Sequence, residues 1–322
     1  MVLFRLLKLP ARIAIKIYCT RLHINAPCYL KSKGPLLLAM NHPNSFLDAI
    51  ILDMLFEQPI WSLTRGDVFK KPLYARILAS LKMLPVYRTS EGAENLSINY
   101  QTFNICQQIF KENGIVIMFS EGKSINEWHL RKLKKGTARL AIKSWKEGIP
   151  LRVLPIGINY SSFGRFGKNV YLNFGQMISS DLINFNDPDG LQHQTFNKKL
   201  NDNLHKLVYE IPKENRQLQQ EKLRVPISWP RKLLLAIPAI PGYLLHLPLY
   251  MPVQSYTKKR TWTNDHFDSI MVAVLFIIYP LYLILLITLT FLFTKSWWAL
   301  SLFLVLPFCA WAYVQLKPQL DK

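Results

Sequence analysis

The chain has 322 residues and a formal net charge of +20; half of its residues are hydrophobic and 19% are charged. That mixture fits a globular domain joined to apolar segments rather than a disordered or fibrous chain. The positive excess suits an anionic bilayer or phosphorylated substrates, while nucleic acid is set aside because there is no zinc-finger spacing, homeodomain pattern or RNA-binding aromatic signature.

Taken in chain order, residues 1–21 read as a basic amphipathic helix. Arg5, Lys8, Arg12 and Lys16 fall within an arc of roughly 80° at about 100° per residue. Leucines and isoleucines fill much of the rest, so the helix is expected to lie in a membrane surface or pack on its own domain. Pro10 is expected to kink it.

Residues 22–224 read as one α/β domain. Strand patterns run over Pro35–Met40, Ile60–Thr64, Met83–Tyr87, Gly114–Phe119, Leu151–Tyr160 and Asn169–Phe174. Helical patterns run over Phe46–Phe56, Pro72–Leu81, Asn95–Glu112 and Gly136–Glu147. This alternation predicts a layered domain with a central, mostly buried sheet flanked by helices. Ser179–Leu191 reads as a polar loop, Phe196–Tyr209 as a surface helix and Pro212–Arg224 as a linker.

Residues 225–322 form an expected membrane region. Leu233–Tyr256 is uncharged but holds Pro238, Pro241, Pro248 and Pro252, which predicts a broken, re-entrant or interfacial segment in place of one straight spanning helix. Spans 270–294 and 296–316 are uncharged and long enough to cross a bilayer. Only Lys295 separates them, and Trp297, Trp298, Trp311 and Tyr313 suit an aromatic belt. The expectation is a transmembrane helical hairpin. Lys258, Lys259 and Arg260 precede it, so the α/β domain and both termini are expected to face the cytoplasm.

The four cysteines, Cys19, Cys28, Cys106 and Cys309, form no CxxC pair and no disulfide framework. The seven histidines show no HxxxH or HxH clustering, so neither a metal nor another cofactor is expected.

Chemistry concentrates in short blocks at strand ends. In Asn41-His42-Pro43-Asn44-Ser45-Phe46-Leu47-Asp48 a histidine precedes a helical run and a carboxylate falls in its first turn. An imidazole there can act as general base toward a hydroxyl, and a carboxylate can hold its tautomer. The alternative is a turn histidine with Asp48 as a helix-start charge. Arg88 follows a strand and can grip a phosphate bidentately, or is a surface arginine. Phe119-Ser120-Glu121-Gly122-Lys123-Ser124 ends another strand. Gly122 permits close backbone approach, and Glu121 can bond a substrate hydroxyl or fix Arg88. Lys134 and Lys135 can reach phosphate or are a solvated helix start.

The His42–Asp48 block resembles the first motif of the glycerolipid acyltransferases that make lysophosphatidate and phosphatidate. Five residues separate the pair here, against four in the commonest form; a branch including some glycerol-3-phosphate acyltransferases also uses five. Leu84-Pro85-Val86-Tyr87-Arg88 is similar to the second motif, Phe119–Ser124 to the third, often Phe-Pro-Glu-Gly-Thr-Arg, and Val153-Leu154-Pro155-Ile156 to the fourth. The order and separations agree over about 115 residues, and the resemblance covers roughly the first 210. Ser120 and Ser124 replace the third motif's proline and arginine.

The resemblance implies an acyltransferase-type fold with His42 and Asp48 as catalytic pair. It implies Arg88, Glu121, Gly122, Lys123, Ser124 and Lys134 as substrate-binding residues. The expected donor is acyl-CoA or acyl carrier protein, and the expected acceptor is a phosphorylated glycerolipid on an anionic membrane. 1-Acylglycerol 3-phosphate leads as acceptor, with glycerol 3-phosphate or another lyso-lipid as alternative. A non-catalytic lipid-binding protein on the same fold would be expected to have lost the His-Asp pair.

Overall fold

A computed structural model of the chain describes residues 2–87 and 96–321. The chain forms two compact units. One comprises Met1–Leu9, Ile24–Asn159 and Tyr171–Lys213; the other comprises Pro10–His23, Tyr160–Val170 and Glu214–Lys322.

After a first helix, α1 (Val2–Tyr18), the chain alternates strand and helix. The elements are β1 (Cys19–Ile24), β2 (Leu36–Met40), α2 (Phe46–Leu55), β3 (Ile60–Arg65), α3 (Pro72–Ser80), β4 (Met83–Val86), α4 (Leu96–Lys111), β5 (Ile115–Phe119), α5 (Gly136–Lys146), β6 (Arg152–Tyr160) and β7 (Lys168–Phe174). The seven strands form one sheet in the order β1-β7-β6-β2-β5-β3-β4. β2 pairs in parallel with both β5 and β6, and β3 in parallel with both β4 and β5. All five β2 residues are buried, as a run of Leu-Leu-Leu-Ala-Met requires of a parallel strand covered on both faces.

The first unit's core joins strand residues such as Leu37, Val116 and Val153 to Ala138, Leu140, Ala141 and Trp145 of α5. α5 buries one stripe against the sheet and leaves Lys143 and Lys146 in its last turn, where cations suit the helix dipole. β2 lies between β5 and β6, so the connections leaving it and β5 diverge. A crevice outside the carboxyl ends of the strands opens at such a switch point.

The structure departs from the sequence reading in four places. Residues 19–24 form β1, and α1 stops at Tyr18, where β-branched and buried residues replace the basic stripe. α6 spans Asp189–Leu204 and so begins seven residues before the expected helix. Its polar first turn is anchored by buried Gln192, whose Nε2 donates to the carbonyls of Phe185 and Asp187, a contact with no hydrophobic period. α7 (Arg216–Leu223) occupies the expected linker. The Asn215 side chain caps it by accepting from Leu218 N–H, and Leu223 is fully buried.

The fourth departure is α8, which is hydrogen-bonded as a single helix from Trp229 to Thr261 with all four prolines inside. The expected break is absent, but the helix is not straight. Arg231 reaches Gln315, and Tyr250 packs on Lys317. Between them Gly242 meets α10 (Leu302–Leu316) so closely that a Cβ would fall 2.1 Å from the Cys309 carbonyl oxygen. A straight helix would set Arg231 and Tyr250 about 28 Å apart, on opposite sides of that contact. Both arms instead fold toward the same end of α10, with Pro238, Pro241 and Gly242 at the bend.

α9 (Phe267–Thr294) and the segment Trp297–Leu316 follow, joined by a turn in which Lys295 adopts φ 51° and Ser296 caps Trp298. These two and α8 are long and apolar enough to cross a membrane. Their outward faces carry exposed apolar side chains, among them Ile277, Leu281, Phe293 and Leu304. The C-terminal Gln319 is clasped within the second unit. Its side chain exchanges two hydrogen bonds with the Val225 backbone and accepts one from Asn169, while its carbonyl accepts from Ser161.

In α2, burial pushes the Asp53 carboxyl up to about 6 against its Ile60 N–H bond and the charges of Lys8 and Lys82. The native state therefore holds a proton that the unfolded chain has released between the usual value of 3.8 and about 6, and stability falls as pH rises through that window. Asp53→Asn keeps an oxygen for Ile60 and removes the ionisation. In denaturant titrations of the detergent-solubilised protein, the variant's advantage over wild type should grow between these pH values and level off above them. Parallel stability curves would contradict the assignment.

Candidate active site

The parallel register of β2 on β5 sets Met40 opposite Phe119. The residues that follow each strand, Asn41-His42 and Ser120-Glu121, therefore emerge side by side at the carboxyl edge of the sheet. Ser120 N–H donates to the Met40 carbonyl and extends the pairing by one step. On the other flank, the Asn41 side chain exchanges two hydrogen bonds with the Ile158 backbone of β6, at 2.9 and 2.8 Å. His42 thus leaves a point fixed from both sides.

The His42 ring is held on two sides. Its Nδ1 lies 2.8 Å from Asp48 Oδ2, and its face stacks on Phe119 with centroids 3.7 Å apart. Asp48 is completely buried in the first turn of α2, and its Oδ2 also accepts the Asn44 N–H at 2.9 Å. A buried carboxylate needs such donors, and the helix N-terminus adds a favourable dipole. With the carboxylate as acceptor, Nδ1 donates and Nε2 carries the lone pair, the tautomer a general base requires. The histidine side chain keeps 16% exposure, so the ring remains accessible. Pro43, Asn44 and Ser45 make the turn between the two. Ser45 sits at the N-cap with φ 54° and without a side-chain cap bond; its N–H donates to the Ser124 hydroxyl at 2.7 Å.

Glu121 is buried and braces the site. Its Oε2 accepts the His42 N–H at 2.7 Å, and its Oε1 accepts the Arg131 N–H at 2.8 Å. Burial raises its carboxyl above the usual range against these two bonds and the nearby charges of Arg131 and His42. Gly122 has φ 72°, a conformation that favours glycine, and a Cβ there would fall 3.1 Å from Lys134 Cγ. Lys123 and Lys134 are exposed beside it. Lys134 N–H donates to the Ser120 carbonyl, and the Lys123 carbonyl accepts from the Arg131 guanidinium.

The structure therefore brings His42, Asp48, Glu121, Gly122, Lys123, Ser124 and Lys134 together at one edge. Within that group Glu121 and Ser124 bind backbone amides of the site's own loops. Arg88 lies outside the described residues.

Residues that the sequence reading passed over complete the frame. Ser120 Oγ bonds Thr137 Oγ1 inside the core. Glu210 holds the far end of the Glu121 loop, taking the Leu130 N–H at 2.9 Å and the His129 ring. None of these has a spacing that would mark it. A cavity of about 410 Å³ in the same unit is lined by Tyr29, Phe174, Gln176, Asn203 and Lys206 among others, and by no residue of the site. Among the described residues no group of three or more His, Cys, Asp or Glu side chains could hold a metal ion. Burial pushes the Cys106 thiol up to about 12, which makes it a poor nucleophile.

A histidine oriented by a buried carboxylate, set at the carboxyl edge of a parallel sheet, can activate a hydroxyl or similar group. Residues 21–159 match the family model described as Acyltransferase. That match supports transferase activity, with an acyl donor and an acceptor. Among solved structures, the 1-acyl-sn-glycerophosphate (LPA) acyltransferase PlsC from Thermotoga maritima is similar at 15% identity over 58% of this chain and 72% of that one, with a TM-score of 0.40. A comparison with curated proteins finds no match.

Glu121 offers one oxygen to each of two backbone amides. Glutamine has one oxygen and a donor group, so Glu121→Gln leaves the His42 or the Arg131 N–H without its partner. An unsatisfied buried group costs about 1–3 kcal/mol. The variant should melt lower and lose roughly tenfold or more in kcat through displacement of the histidine. Steady-state kinetics beside a thermal melt would check this; unchanged kcat with a lowered melting temperature would mean that the brace serves stability alone.

Proposed function

We propose that the protein is a membrane-bound O-acyltransferase of phospholipid biosynthesis. It transfers a fatty acyl group from acyl-CoA or acyl carrier protein to the free hydroxyl of 1-acylglycerol 3-phosphate, giving phosphatidate. The observation that carries the reading is the His42–Asp48 pair at 2.8 Å, set in the segment that matches the Acyltransferase family model and beside the Glu121-Gly122-Lys123 turn.

In the proposed reaction His42 Nε2 takes the proton of the acceptor hydroxyl as its oxygen attacks the thioester carbonyl. Asp48 stabilises the imidazolium that forms. The tetrahedral intermediate collapses with cleavage of the carbon–sulfur bond. The thiolate leaves and takes the proton back from His42, so no covalent acyl-enzyme is required. Gly122 lets the acceptor approach the backbone closely. Lys123 and Lys134 are the exposed cations next to it and supply charge for the acceptor phosphate, together with Arg88, assigned by resemblance.

Membrane association is proposed from the apolar helices. The cytoplasmic orientation is proposed from Lys258, Lys259 and Arg260 ahead of the hairpin. A second acceptor, glycerol 3-phosphate, is favoured by the five residues between His42 and Asp48.

The test is an acyltransferase assay on detergent-purified protein with labelled acyl-CoA or acyl carrier protein, offering lysophosphatidate and glycerol 3-phosphate separately. Product from lysophosphatidate, abolished in His42→Ala, is the expected result. Asp48→Asn should lower kcat by about 10²–10⁴ by disturbing the tautomer. Turnover that survives His42→Ala would remove the histidine as base, and product from glycerol 3-phosphate alone would reassign the acceptor.

A further inference from the structure

The second compact unit gathers cations where the apolar hairpin begins and ends. Lys317 follows the last residue of α10 directly, and Asp268 lies in the first turn of α9. The turn Arg165–Lys168 comes against them. Gly167 in that turn has φ 87°, and a Cβ on it would fall 2.6 Å from Val314 Cγ1, so only glycine lets the turn pack this tightly on α10.

Three cations thereby share one neighbourhood: Arg165, Lys168 and Lys317. The carboxylates near them are already engaged. Asp268 is bound to Lys168, with both side chains fully buried. Asp321 takes the Ser162 hydroxyl and the Phe163 and Gly164 N–H groups. Arg165 and Lys317 make no ion pair among the described residues. Arg165 Nε is buried and has no hydrogen-bond partner among them.

The Lys317 ammonium sits among three aromatic rings, with Tyr250, Tyr313 and Phe166 centroids at 4.8, 5.8 and 5.9 Å. Its Nζ also lies 3.4 Å from the Tyr250 hydroxyl. Ring faces attract a cation but do not neutralise it. Burial, with Arg165 and Lys168 alongside, pushes this ammonium down to about 8, the response of a charge lacking its counter-ion.

We propose that Arg165, Lys317 and the Tyr250 hydroxyl form a binding site for a phosphate-bearing anion, separate from the His42 site. A guanidinium offers a planar fork to phosphate oxygens, an ammonium adds a point charge, and the hydroxyl adds a donor. Basic pockets between apolar helices at a membrane interface bind anionic headgroups in this way. The chemistry is shared by a phospholipid headgroup and a free phosphate ion, and the experiment separates the two.

Full-length protein in detergent would be titrated with phosphatidylglycerol, with phosphatidylcholine and with inorganic phosphate. Retained lipid would be read by native mass spectrometry and stability by thermal melt. The comparison is wild type against Arg165→Gln/Lys317→Gln and against Lys317→Arg, which keeps the charge.

For a lipid site, phosphatidylglycerol adducts and stabilisation exceed those of phosphatidylcholine, fall about fivefold or more in the double variant and persist in Lys317→Arg. For a free-anion site, inorganic phosphate stabilises wild type and Lys317→Arg but not the double variant. Equal binding of every ligand by wild type and the double variant would overturn the proposal. If the double variant does not fold, Arg165→Gln alone is read against Lys317→Arg, and equal binding by those two has the same meaning.

Discussion

The pairing of β2 with β5 is the constraint on which the geometry around His42 rests. Two segments 79 residues apart, by the separation of His42 and Glu121, come into contact because a five-residue apolar strand lies in parallel register on another. The register sets which residues emerge at the edge. A slip of one position would turn every side chain to the other face of the sheet. It would also part the His42 amide from the Glu121 carboxylate. The buried run Leu36–Met40 makes such a slip costly, since each side chain is packed on one side or the other.

The site then follows from how each acceptor is used. Asp48 has no exposure, so its charge is tolerable through its bonds to the His42 ring and the Asn44 amide. Glu121 serves two amides from opposite sides of the edge. Neither carboxylate has a lysine or arginine as its chief partner. They are organised by backbone and imidazole, which fixes direction more tightly than a flexible cation would. The exposed cations Lys123 and Lys134 stand at the rim, where a substrate's charge can meet them.

Much of this was legible in the sequence for a simple reason. Strands buried on both faces and helices with one apolar stripe write their period into the residue order, so β2 to β7 and α2 to α5 fall within a residue or two of the expected bounds. The His42–Asp48 pair was legible because the turn and the first helical turn are local. Glu121 as a brace was not, because its partners depend on strand register. α6 begins on a buried glutamine and α7 on an asparagine cap, and neither leaves a hydrophobic period. The prolines of α8 announced a departure from straightness. They did not reveal that the helix would remain hydrogen-bonded while bending, because neighbours can satisfy the freed carbonyls.

The clasp of Gln319 on Val225 and Asn169 has a topological meaning. Val225 precedes all three apolar helices and Gln319 follows them, yet the two are hydrogen-bonded, so both must lie on one side of any bilayer. Crossings between them can therefore occur only in even number. Were α9 and the segment Trp297–Leu316 to cross as a hairpin, α8 would have to enter and return on the same face, and its two arms, which fold toward one end of α10, have the shape for that. The parity of any crossing between Val225 and Gln319 is thus set by a single glutamine.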